Sequence, residues 1–460
     1  MESDGVSDAA LADLGAGFDG ALILPEDPGY DDARTVFNAA IDRRPAVIAQ
    51  CAGPPDIARA IRFGREHGLE IAVRGGGHSV AGMAITEGGI VIDLRRMNSV
   101  SVDPAARTAR AGGGTTMGDF DRATQPYALA CTGGRVSTTG LAGLTLGGGS
   151  GWLERTFGLT CDNLLSVTLV TADGSTLRAA EDENPELFWA LHGGGGNFGV
   201  VTEFTFRLHP VSTITFALLL WEPAAGFDVG RAYRDFMATA PDEVGGGFLF
   251  CTAPPEDFVP ESLVGHLACG VLLTYVGGEE AAREVFRPML ELGHACAEMA
   301  ELPYADFQCA LDDPPGFRNY WSAEYLDAVP DEVLKRFCER ADQMITPSPS
   351  QLYLLPQGGA VSRGRADYPV PWRTASWVVH PYGMWSDATD DERGRRWVQE
   401  TRAELRPWST GAVYLNFIGH EGQERVVAGF GRANYERLAA VKRQYDPENV
   451  FHLNHNVRPQ

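Results

Sequence analysis

The residues with the clearest chemical potential form segment 74–79, Arg-Gly-Gly-Gly-His-Ser, directly after the apolar run 69–73. Three glycines after a strand can direct successive backbone N–H groups onto one concave surface, which suits a pyrophosphate, with Arg74 offsetting its charge. Glycine is needed there because a Cβ would block the tight turn or the approach of the phosphate. A plain strand-to-turn connection is the alternative interpretation. Neither accounts for the imidazole of His78, which phosphate binding does not require.

Two further glycine clusters stand beside predicted strands, at 133–151 and at 193–199. Segment 74–79 matches neither the dinucleotide pattern G-x-G-x-x-G nor a phosphate loop ending in GK[ST]. A nicotinamide site would need only one such loop, whereas three clusters favour backbone lying close along a large flat ligand. The pattern therefore predicts a binding site for one extended cofactor.

The overall composition excludes several classes of partner. The chain has 460 residues and a net charge of −23 at pH 7, which disfavours nucleic acid and anionic membranes as partners. Its longest apolar runs, such as 216–221, are far shorter than the ~20 residues that span a bilayer. The acidic start, residues 1–5, lacks the features of a signal peptide. Eight cysteines without CxxC spacing predict reduced thiols in a cytoplasmic protein and no zinc site.

The first part of the chain predicts short strands that end at the glycine clusters, connected by helices. An acidic tail with one weak helix is expected over 1–20, and a first domain over 21–210. Helices are predicted at 33–41, 54–67, 116–124 and 186–191. Strands are predicted at 45–49, 69–73, 89–94, 108–111, 165–170, 175–178 and 201–208.

From residue 211 the glycine runs vanish and the pattern changes. Helices are predicted at 230–240, 279–293 and 331–344, alternating with strands at 215–221, 246–252, 266–275, 351–355 and 375–382. This order is typical of an α+β domain in which an antiparallel sheet is backed by helices. We expect this second domain to cover 211–405, and 406–460 to form a separate C-terminal segment.

Several motifs together resemble the FAD-linked oxidases of the berberine-bridge-enzyme type, in the vanillyl-alcohol-oxidase or p-cresol-methylhydroxylase superfamily. The resemblance covers about residues 20 to 460 and implies an α+β fold, in which a two-part FAD-binding domain is split around a substrate domain. Segment 406–460 would then return to cover the flavin. The matching segments are 74–79, Gly140-Leu-Ala-Gly-Leu-Thr-Leu-Gly-Gly-Gly149, Arg155-Thr-Phe-Gly-Leu-Thr-Cys-Asp-Asn163, 193–202, Tyr414-x-Asn416-Phe417, Tyr445-Asp-Pro-Glu-Asn449 and Asn454-His-Asn456.

The resemblance gives the unexplained histidine a role. In the family, the residue at the position of His78 is joined covalently to the 8α-methyl group of FAD. Many relatives carry a second link, from a cysteine four residues before the glycine that opens G-x-x-G; here that residue is Val136. Valine cannot form a thioether, and neither Cys131 nor Cys161 stands at the required position. We therefore predict FAD held by one covalent bond, at His78.

The family's cofactor contacts map onto named positions of this chain. Tyr414 and Asn416 would lie near the isoalloxazine ring, and in alcohol-oxidising relatives the tyrosine of Tyr-x-Asn can act as the base that removes a hydroxyl proton. A packing tyrosine that hydrogen-bonds the flavin is the alternative role. The cofactor-binding residues predicted in this way are Arg74, Gly75, Gly76, Gly77, His78, Ser79, Gly82, Val136, Thr139, Gly140, Gly143, Gly147, Gly151, Val201, Tyr414, Asn416 and Asn454.

A narrower resemblance concerns Val136-Ser-Thr-Thr139-Gly140, which is similar to the monocovalent bacterial flavoenzyme of enterocin biosynthesis. In that group a threonine beside the flavin N5 helps hold a flavin-N5-oxide that is used for monooxygenation, and Thr139 matches it. The resemblance makes Thr139 a second candidate catalytic residue. Where that enzyme has a glutamate in its substrate domain, Tyr353 stands here, which speaks against the same substrate.

The resulting hypothesis is an FAD-dependent oxidoreductase that oxidises or oxygenates a small organic substrate with O2 as acceptor. Natural-product, aromatic and alcohol substrates remain open. Alternatives are an N5-oxide-type monooxygenase of a polyketide pathway and a dehydrogenase with another acceptor. A flavin subunit that only relays electrons is disfavoured because it would not need the separate domain at 211–405. His380 and Tyr382 could line the pocket. A homodimer is one open option for the oligomeric state.

Overall fold

The computed structural model describes residues 6–460, and the acidic start over 1–5 lies outside them. Up to residue 210 the elements are α1 (Asp8–Gly15), β1 (Ala21–Ile23), α2 (Tyr30–Ala33), β2 (Val47–Gln50), α3 (Pro54–Glu66), β3 (Ile71–Arg74), β4 (Ile90–Asp93), β5 (Val100–Asp103), β6 (Thr108–Gly112), α4 (Met117–Thr124), β7 (Leu129–Ala130), α5 (Leu141–Leu146), α6 (Glu154–Phe157), β8 (Leu164–Val170), β9 (Thr176–Ala180), α7 (Pro185–Ala190), β10 (Val200–Arg207) and β11 (His209–Pro210). The predicted weak helix in the tail is α1.

The later elements are fewer and longer. They are β12 (Thr213–Trp221), α8 (Gly226–Met237), β13 (Val244–Thr252), β14 (Leu267–Tyr275), α9 (Glu279–Leu290), β15 (Cys296–Pro303), α10 (Tyr304–Ala310), β16 (Arg318–Trp321), β17 (Glu324–Leu326), α11 (Asp331–Ala341), β18 (Gln351–Pro356), α12 (Ala360–Arg363), β19 (Trp377–Trp385), α13 (Asp391–Leu405), α14 (Gln423–Phe430) and α15 (Arg432–Tyr445). All five strands and three helices predicted between 211 and 405 are present, with small shifts at their ends.

Two sheets in the first part of the chain present the glycine-rich loops. One has the strand order β1-β2-β4-β3, with β2, β4 and β3 parallel, and the other is antiparallel in the order β5-β6-β10-β8-β9. The middle strand β4 is buried at every residue, as a parallel strand covered on both faces requires. Segment 74–79 leaves the end of β3, and the cluster 193–199 leads into β10.

The third large sheet is antiparallel throughout and has the order β15-β12-β14-β13-β18-β19-β16, with β17 also paired to β19. Alternate residues on one face, such as Phe248, Val271 and Leu354, pack against the helices α8, α9, α11 and α13. The opposite face, which carries Leu249, Leu272 and Tyr353, looks toward the glycine-rich loops. The predicted α+β fold, with an antiparallel sheet backed by helices, is confirmed.

The predicted helix at 33–41 is wrong. The helix α2 ends at Ala33, and the residues after it are irregular because their polar groups bind distant segments. The amide Nδ2 of Asn38 donates to the carbonyl oxygens of Val80 and Asn319, both at 2.9 Å, and the backbone N–H of Ala39 donates to Phe317. These long-range bonds replace the i to i−4 bonds of a helix.

The end of the chain packs back against the first part. The amine of Lys442, on α15, is fully buried and donates to Asn197 O, Asp446 Oδ2 and Phe451 O at 2.7–2.8 Å. This contact joins the C-terminal segment to the third glycine cluster. Among residues 6–460, every helix is too short or too polar to cross a lipid bilayer. The division of the chain at 20, 210 and 405 remains a prediction.

Candidate active site

A cavity of about 630 Å³ lies between the three glycine clusters and the inner face of the large sheet. This volume is within the usual range for ligand sites. Segment 75–79 forms one part of its wall, residues around α5 form a second, and residues 193–199 form a third. Residues 414–418 and 453–455 complete the enclosure from the C-terminal segment. The structure thus brings the separate glycine clusters together on one binding surface.

Close backbone contacts explain why several of these positions are glycine. A Cβ on Gly76 would overlap the backbone nitrogen of Gly140, and a Cβ on Gly140 would overlap that of Gly76. The loop after β3 and the start of α5 can therefore touch only as glycines. Gly143, on α5, is different: nothing lies within 4 Å of its Cβ position, and the residue is exposed toward the cavity.

Most of the site residues predicted from the sequence line this cavity, and three do not. Those on its wall are Gly75, Gly76, Gly77, His78, Ser79, Val136, Thr139, Gly140, Gly143, Gly147, Val201, Tyr414, Asn416 and Asn454. Gly82 lies behind it, with its Cβ position 2.8 Å from Ile41, and Gly151 is pressed against the backbone of Gly133.

Arg74 does not have the position predicted for it. Its side chain is 1% exposed, and its Nη2 pairs with Asp93 Oδ2 at 2.8 Å, across the parallel register of β3 and β4. The arginine therefore anchors the start of the loop to β4. It does not face the cavity, where it could offset phosphate charge.

His78 is half-buried at the cavity wall. Its ring stacks on Phe37, with centroids 4.1 Å apart and planes inclined by 18°, and its Nε2 lies 2.9 Å from Thr138 Oγ1. Burial lowers its pKa to about 4, so the imidazole is neutral at pH 7. A neutral ring keeps an unprotonated nitrogen, which a bond from histidine to a cofactor carbon requires.

The cysteines offer no second attachment beside His78. Val136 is on the cavity wall, whereas Cys131 and Cys161 are fully buried and do not line it. Cys251, which no sequence motif marks, reaches the cavity from β13 on the sheet side. Burial raises the pKa of the Cys251 thiol to about 12, so it is protonated at pH 7 and a poor nucleophile.

Tyr414 is fixed by hydrogen bonds to its hydroxyl oxygen. The oxygen accepts from the backbone N–H groups of Gly149 (3.2 Å) and Ser150 (3.4 Å) and from Asn416 Nδ2 (2.9 Å). Burial raises the pKa of this tyrosine to about 12, and the three donors act in the opposite direction. The phenol is therefore protonated at pH 7, and the three donors lower the cost of its deprotonation.

The sheet contributes a wall that is apolar at one end and aromatic at the other. Leu218, Leu249 and Leu272 lie toward one side; Tyr353 and His380, which are register partners on β18 and β19, lie toward the other. As the sequence suggested, His380 and Tyr382 share the cavity face. Trp321 and Phe417 also line the cavity. Phe417 belongs to the motif Tyr414-x-Asn416-Phe417 but was not predicted as a site residue, and no motif marks Trp321.

Arg135 is another cavity residue that was not predicted from the sequence. Its Nη2 pairs with Glu154 Oε1 at 2.9 Å, its Nη1 donates to Ser150 Oγ at 3.0 Å, and its guanidinium lies 5.4 Å from the ring centroid of Trp152. Glu154 is almost fully buried. The arginine charge is therefore compensated within the protein.

These residues fit an FAD molecule. The surface along α5 is open at Gly143, and nothing lies within 4 Å of the Cβ position of Gly196. The Oδ1 atom of Asn454 is buried without a hydrogen-bond partner among the described residues, while its Nδ2 donates to Phe451 O at 2.9 Å. An acceptor left open at a glycine-lined wall is what a hydroxyl-rich and amide-rich cofactor would satisfy.

Two protein families match the segments that build this cavity. Residues 45–180 match the FAD binding domain, and residues 413–458 match the family described as berberine and berberine like. The first match contains the first two glycine clusters, and the second contains Tyr414 and Asn416. Fold and site together define an FAD-linked oxidoreductase.

Known relatives are similar to this protein over nearly the whole chain. The (R)-6-hydroxynicotine oxidase of Paenarthrobacter nicotinovorans is 32% identical, over 96% of this chain and 97% of the relative. The crystal structure of 6-hydroxy-D-nicotine oxidase from Arthrobacter nicotinovorans superposes with a TM-score of 0.85 at 30% identity, covering 96% and 98% of the two chains. The chain belongs to the berberine-bridge-enzyme-like family of FAD-linked oxidoreductases.

A more distant protein of the same fold has a covalently attached flavin. Glucooligosaccharide oxidase from Acremonium strictum superposes with a TM-score of 0.85 at 24% identity, covering 98% and 100% of the two chains. That enzyme carries a 6-S-cysteinyl, 8α-N1-histidyl FAD. The narrower resemblance to the enterocin enzyme stays a prediction.

Proposed function

We propose that this protein is an FAD-dependent oxidase whose flavin is attached through one covalent bond, to His78, and whose electrons pass to O2. Its substrate is a small organic molecule bound between the flavin site and the large sheet. The observation that carries the proposal is a neutral imidazole on the cavity wall, with Val136 in place of a second attachment residue. The names of the relatives, which are oxidases, support O2 as the acceptor.

The chain's own residues have separable roles in this proposal. The glycine segments admit the cofactor backbone closely, and residues 414–418 close the cavity over it. When bound, FAD would accept a hydride from the substrate. Tyr414 is the proposed acceptor of the substrate proton. Burial raises its pKa to about 12, and the three donors to its oxygen lower the cost of forming the phenolate that would act as the base.

Replacing the histidine tests the covalent attachment. The purified protein is precipitated with acid, and the yellow colour is followed in pellet and supernatant. We expect colour in the pellet for the unmodified protein and in the supernatant for His78→Ala, because only the covalent bond survives denaturation. His380→Ala is the matched control, since it removes another cavity histidine and should leave the colour in the pellet. Retained colour in the His78→Ala pellet would refute the assignment.

The acceptor is tested by reducing the enzyme anaerobically with an oxidisable substrate and then admitting air. Return of the flavin colour within seconds supports the oxidase, whereas slow return favours the dehydrogenase alternative.

One observation supports the monooxygenase alternative. Thr139, the residue on which that alternative depends, lines the cavity. The monooxygenase alternative is supported if reduction and reoxidation fail to restore the original flavin spectrum. It is contradicted if the spectra before and after are identical.

A further inference from the structure

The substrate side of the cavity carries two carboxyl groups, Asp312 and Asp313, both in the loop between α10 and β16. The Oδ2 atom of Asp313 accepts a hydrogen bond from Tyr382 Oη at 2.8 Å. Asp312 accepts from the backbone N–H of Ser137 at 2.6 Å and from its hydroxyl. Within residues 6–460, no lysine, arginine or histidine nitrogen lies within 4.0 Å of either carboxylate.

No free positive charge on the cavity wall balances them. Among the described lining residues, Arg135 is the only lysine or arginine, and Glu154 already pairs with it. The Nδ1 of His380 lies 2.8 Å from Ser322 O, and a carbonyl can only accept, so this nitrogen carries the proton. Burial lowers the pKa of His380 to about 4, which leaves its Nε2 as an uncharged acceptor.

Aromatic rings surround the same region. Tyr382 stacks on Trp321, with centroids 4.5 Å apart and planes inclined by 10°. His380 stacks on Phe417 at 4.2 Å and meets Tyr382 edge to face at 5.5 Å. Tyr353 is the register partner of His380 on the neighbouring strand. Tyr353, Tyr382 and Phe417 are only partly buried, and all three line the cavity, which leaves ring surface open to a ligand.

We propose that this wall selects an organic cation, an amine that is protonated at neutral pH, with its charge at Asp313 and beside the rings of Tyr353 and Tyr382. The inference rests on the proposed function, since it names the substrate class of the same cavity. Aromatic faces attract cations, more strongly where water is excluded, and a carboxylate adds a charge-assisted hydrogen bond to an N–H group. An anionic substrate would meet Asp313 without a compensating cation.

The ionisation of Asp313 fits a receptor for a cation. Burial raises its pKa to about 6, Asp312 on the same loop adds to the rise, and the hydrogen bond from Tyr382 lowers it. Tyr353, on the sheet, is the other titratable group near this carboxyl, and burial together with the charge of Asp313 raises the pKa of its hydroxyl. At pH 8 the carboxyl is ionised and attracts the ligand; below about pH 6 it becomes protonated. Cation affinity should therefore fall as the pH is lowered through 6.

A pair of matched probes tests the charge preference on the flavin-loaded protein. Choline and 3,3-dimethylbutan-1-ol have the same shape, but only choline is charged, and binding of each is followed by tryptophan fluorescence under anaerobic conditions. At pH 8 we expect choline to bind about tenfold more tightly, the ratio that about 1.4 kcal/mol of attraction gives. Asp313→Asn should reduce this preference, because the carboxylate is lost while the aromatic rings remain. Asp306→Asn, which removes an exposed carboxylate on α10, should keep it.

Equal affinity of the unmodified protein for the two probes would overturn the proposal, and so would an undiminished preference in Asp313→Asn. If that variant fails to fold, the pH dependence of the unmodified protein decides: the preference must shrink between pH 8 and pH 5, and a constant ratio contradicts it. These measurements record binding and not turnover. A protein that selects the cation but lacks a histidyl bond or O2 reactivity would contradict the proposed function alone.

Discussion

At the scale of single residues, the hydroxyl of Tyr414 is the most informative group. A neutral phenol accepts well from one or two donors and must also donate its own proton, whereas this oxygen receives three N–H groups. Such an arrangement lowers the cost of the phenolate in a setting where burial alone would raise it. The two effects make the tyrosine a base whose strength depends on its neighbours.

Removing this hydroxyl tests its role. We expect Tyr414→Phe to lower kcat by about 10²-fold or more with a substrate that must lose an O–H or N–H proton, because a positioned base contributes that much. The rate of the unmodified enzyme should rise with pH and that of the variant should not. Steady-state rates across the pH range provide the measurement. Tyr325→Phe is the control, since this buried hydroxyl has no hydrogen-bond partner within residues 6–460 and does not line the cavity. An unchanged rate in Tyr414→Phe would leave it as a packing residue.

The position of a residue could be predicted where a motif carries position and chemistry together. The loop with His78, and Val136 where relatives have cysteine, could be placed on the cavity wall because fixed spacings mark them. Arg74 shows the limit: its partner Asp93 is 19 positions away and meets it only through the parallel register of β3 and β4. Asp313 shows a second limit of prediction from sequence. The role of a carboxylate in a loop depends on the sheet that packs next to it, and that contact has no local sequence signal.

At the scale of elements, the contact between the loop after β3 and the start of α5 sets the shape of the site. Gly76 and Gly140 touch backbone to backbone, so their spacing is fixed by the absence of both side chains. One turn further along, Gly143 on the same helix faces the open cavity. The two kinds of glycine serve different purposes, one structural and one for the ligand, and substitution should separate them.

Alanine at each position gives opposite outcomes. Gly76→Ala should lower the free energy of unfolding by about 1–3 kcal/mol or more, because two backbone segments must move apart. Gly143→Ala should keep or slightly raise stability, since alanine favours a helix, but reduce the flavin bound, because its methyl group enters the cavity. Denaturant unfolding of the flavin-free proteins and the ratio of flavin to protein absorbance measure both effects. Similar stability losses in the two variants would contradict this division.

Elements were predictable when burial and sequence pattern agreed, as in the large sheet. Strand β15 was missed because Cys296-Ala-Glu-Met-Ala-Glu is rich in residues that favour helices. It is also an edge strand, which among the described residues pairs with β12 alone. The irregular stretch after α2 was mistaken for a helix for a related reason. Its conformation is decided by partners such as Asn319, which is 281 positions away from Asn38.

At the scale of the whole molecule, the chain closes on itself to make the site. The cavity needs loops from the first part, a sheet from the middle and residues 414–418 and 453–455 from the end. Sequence alone could suggest this return only through the family resemblance, because no local pattern says where a terminal helix will pack. The buried amine of Lys442 is the main polar contact that ties α15 to the third glycine cluster.

Breaking that contact should loosen the closure. Lys442→Met removes the charge and leaves the carboxylate of Asp446 buried with its backbone donors but without its cation, which costs about 3–5 kcal/mol of unfolding free energy. Noncovalent flavin in a His78→Ala background should then dissociate faster, since residues 453–455 lie directly after this contact and line the cavity. Denaturant unfolding and flavin release after dilution measure the two effects. Lys335→Met, which removes an exposed lysine on α11, controls for loss of charge. If both lysine variants keep the original stability and flavin release rate, the buried pair does not hold the C-terminal segment over the cavity.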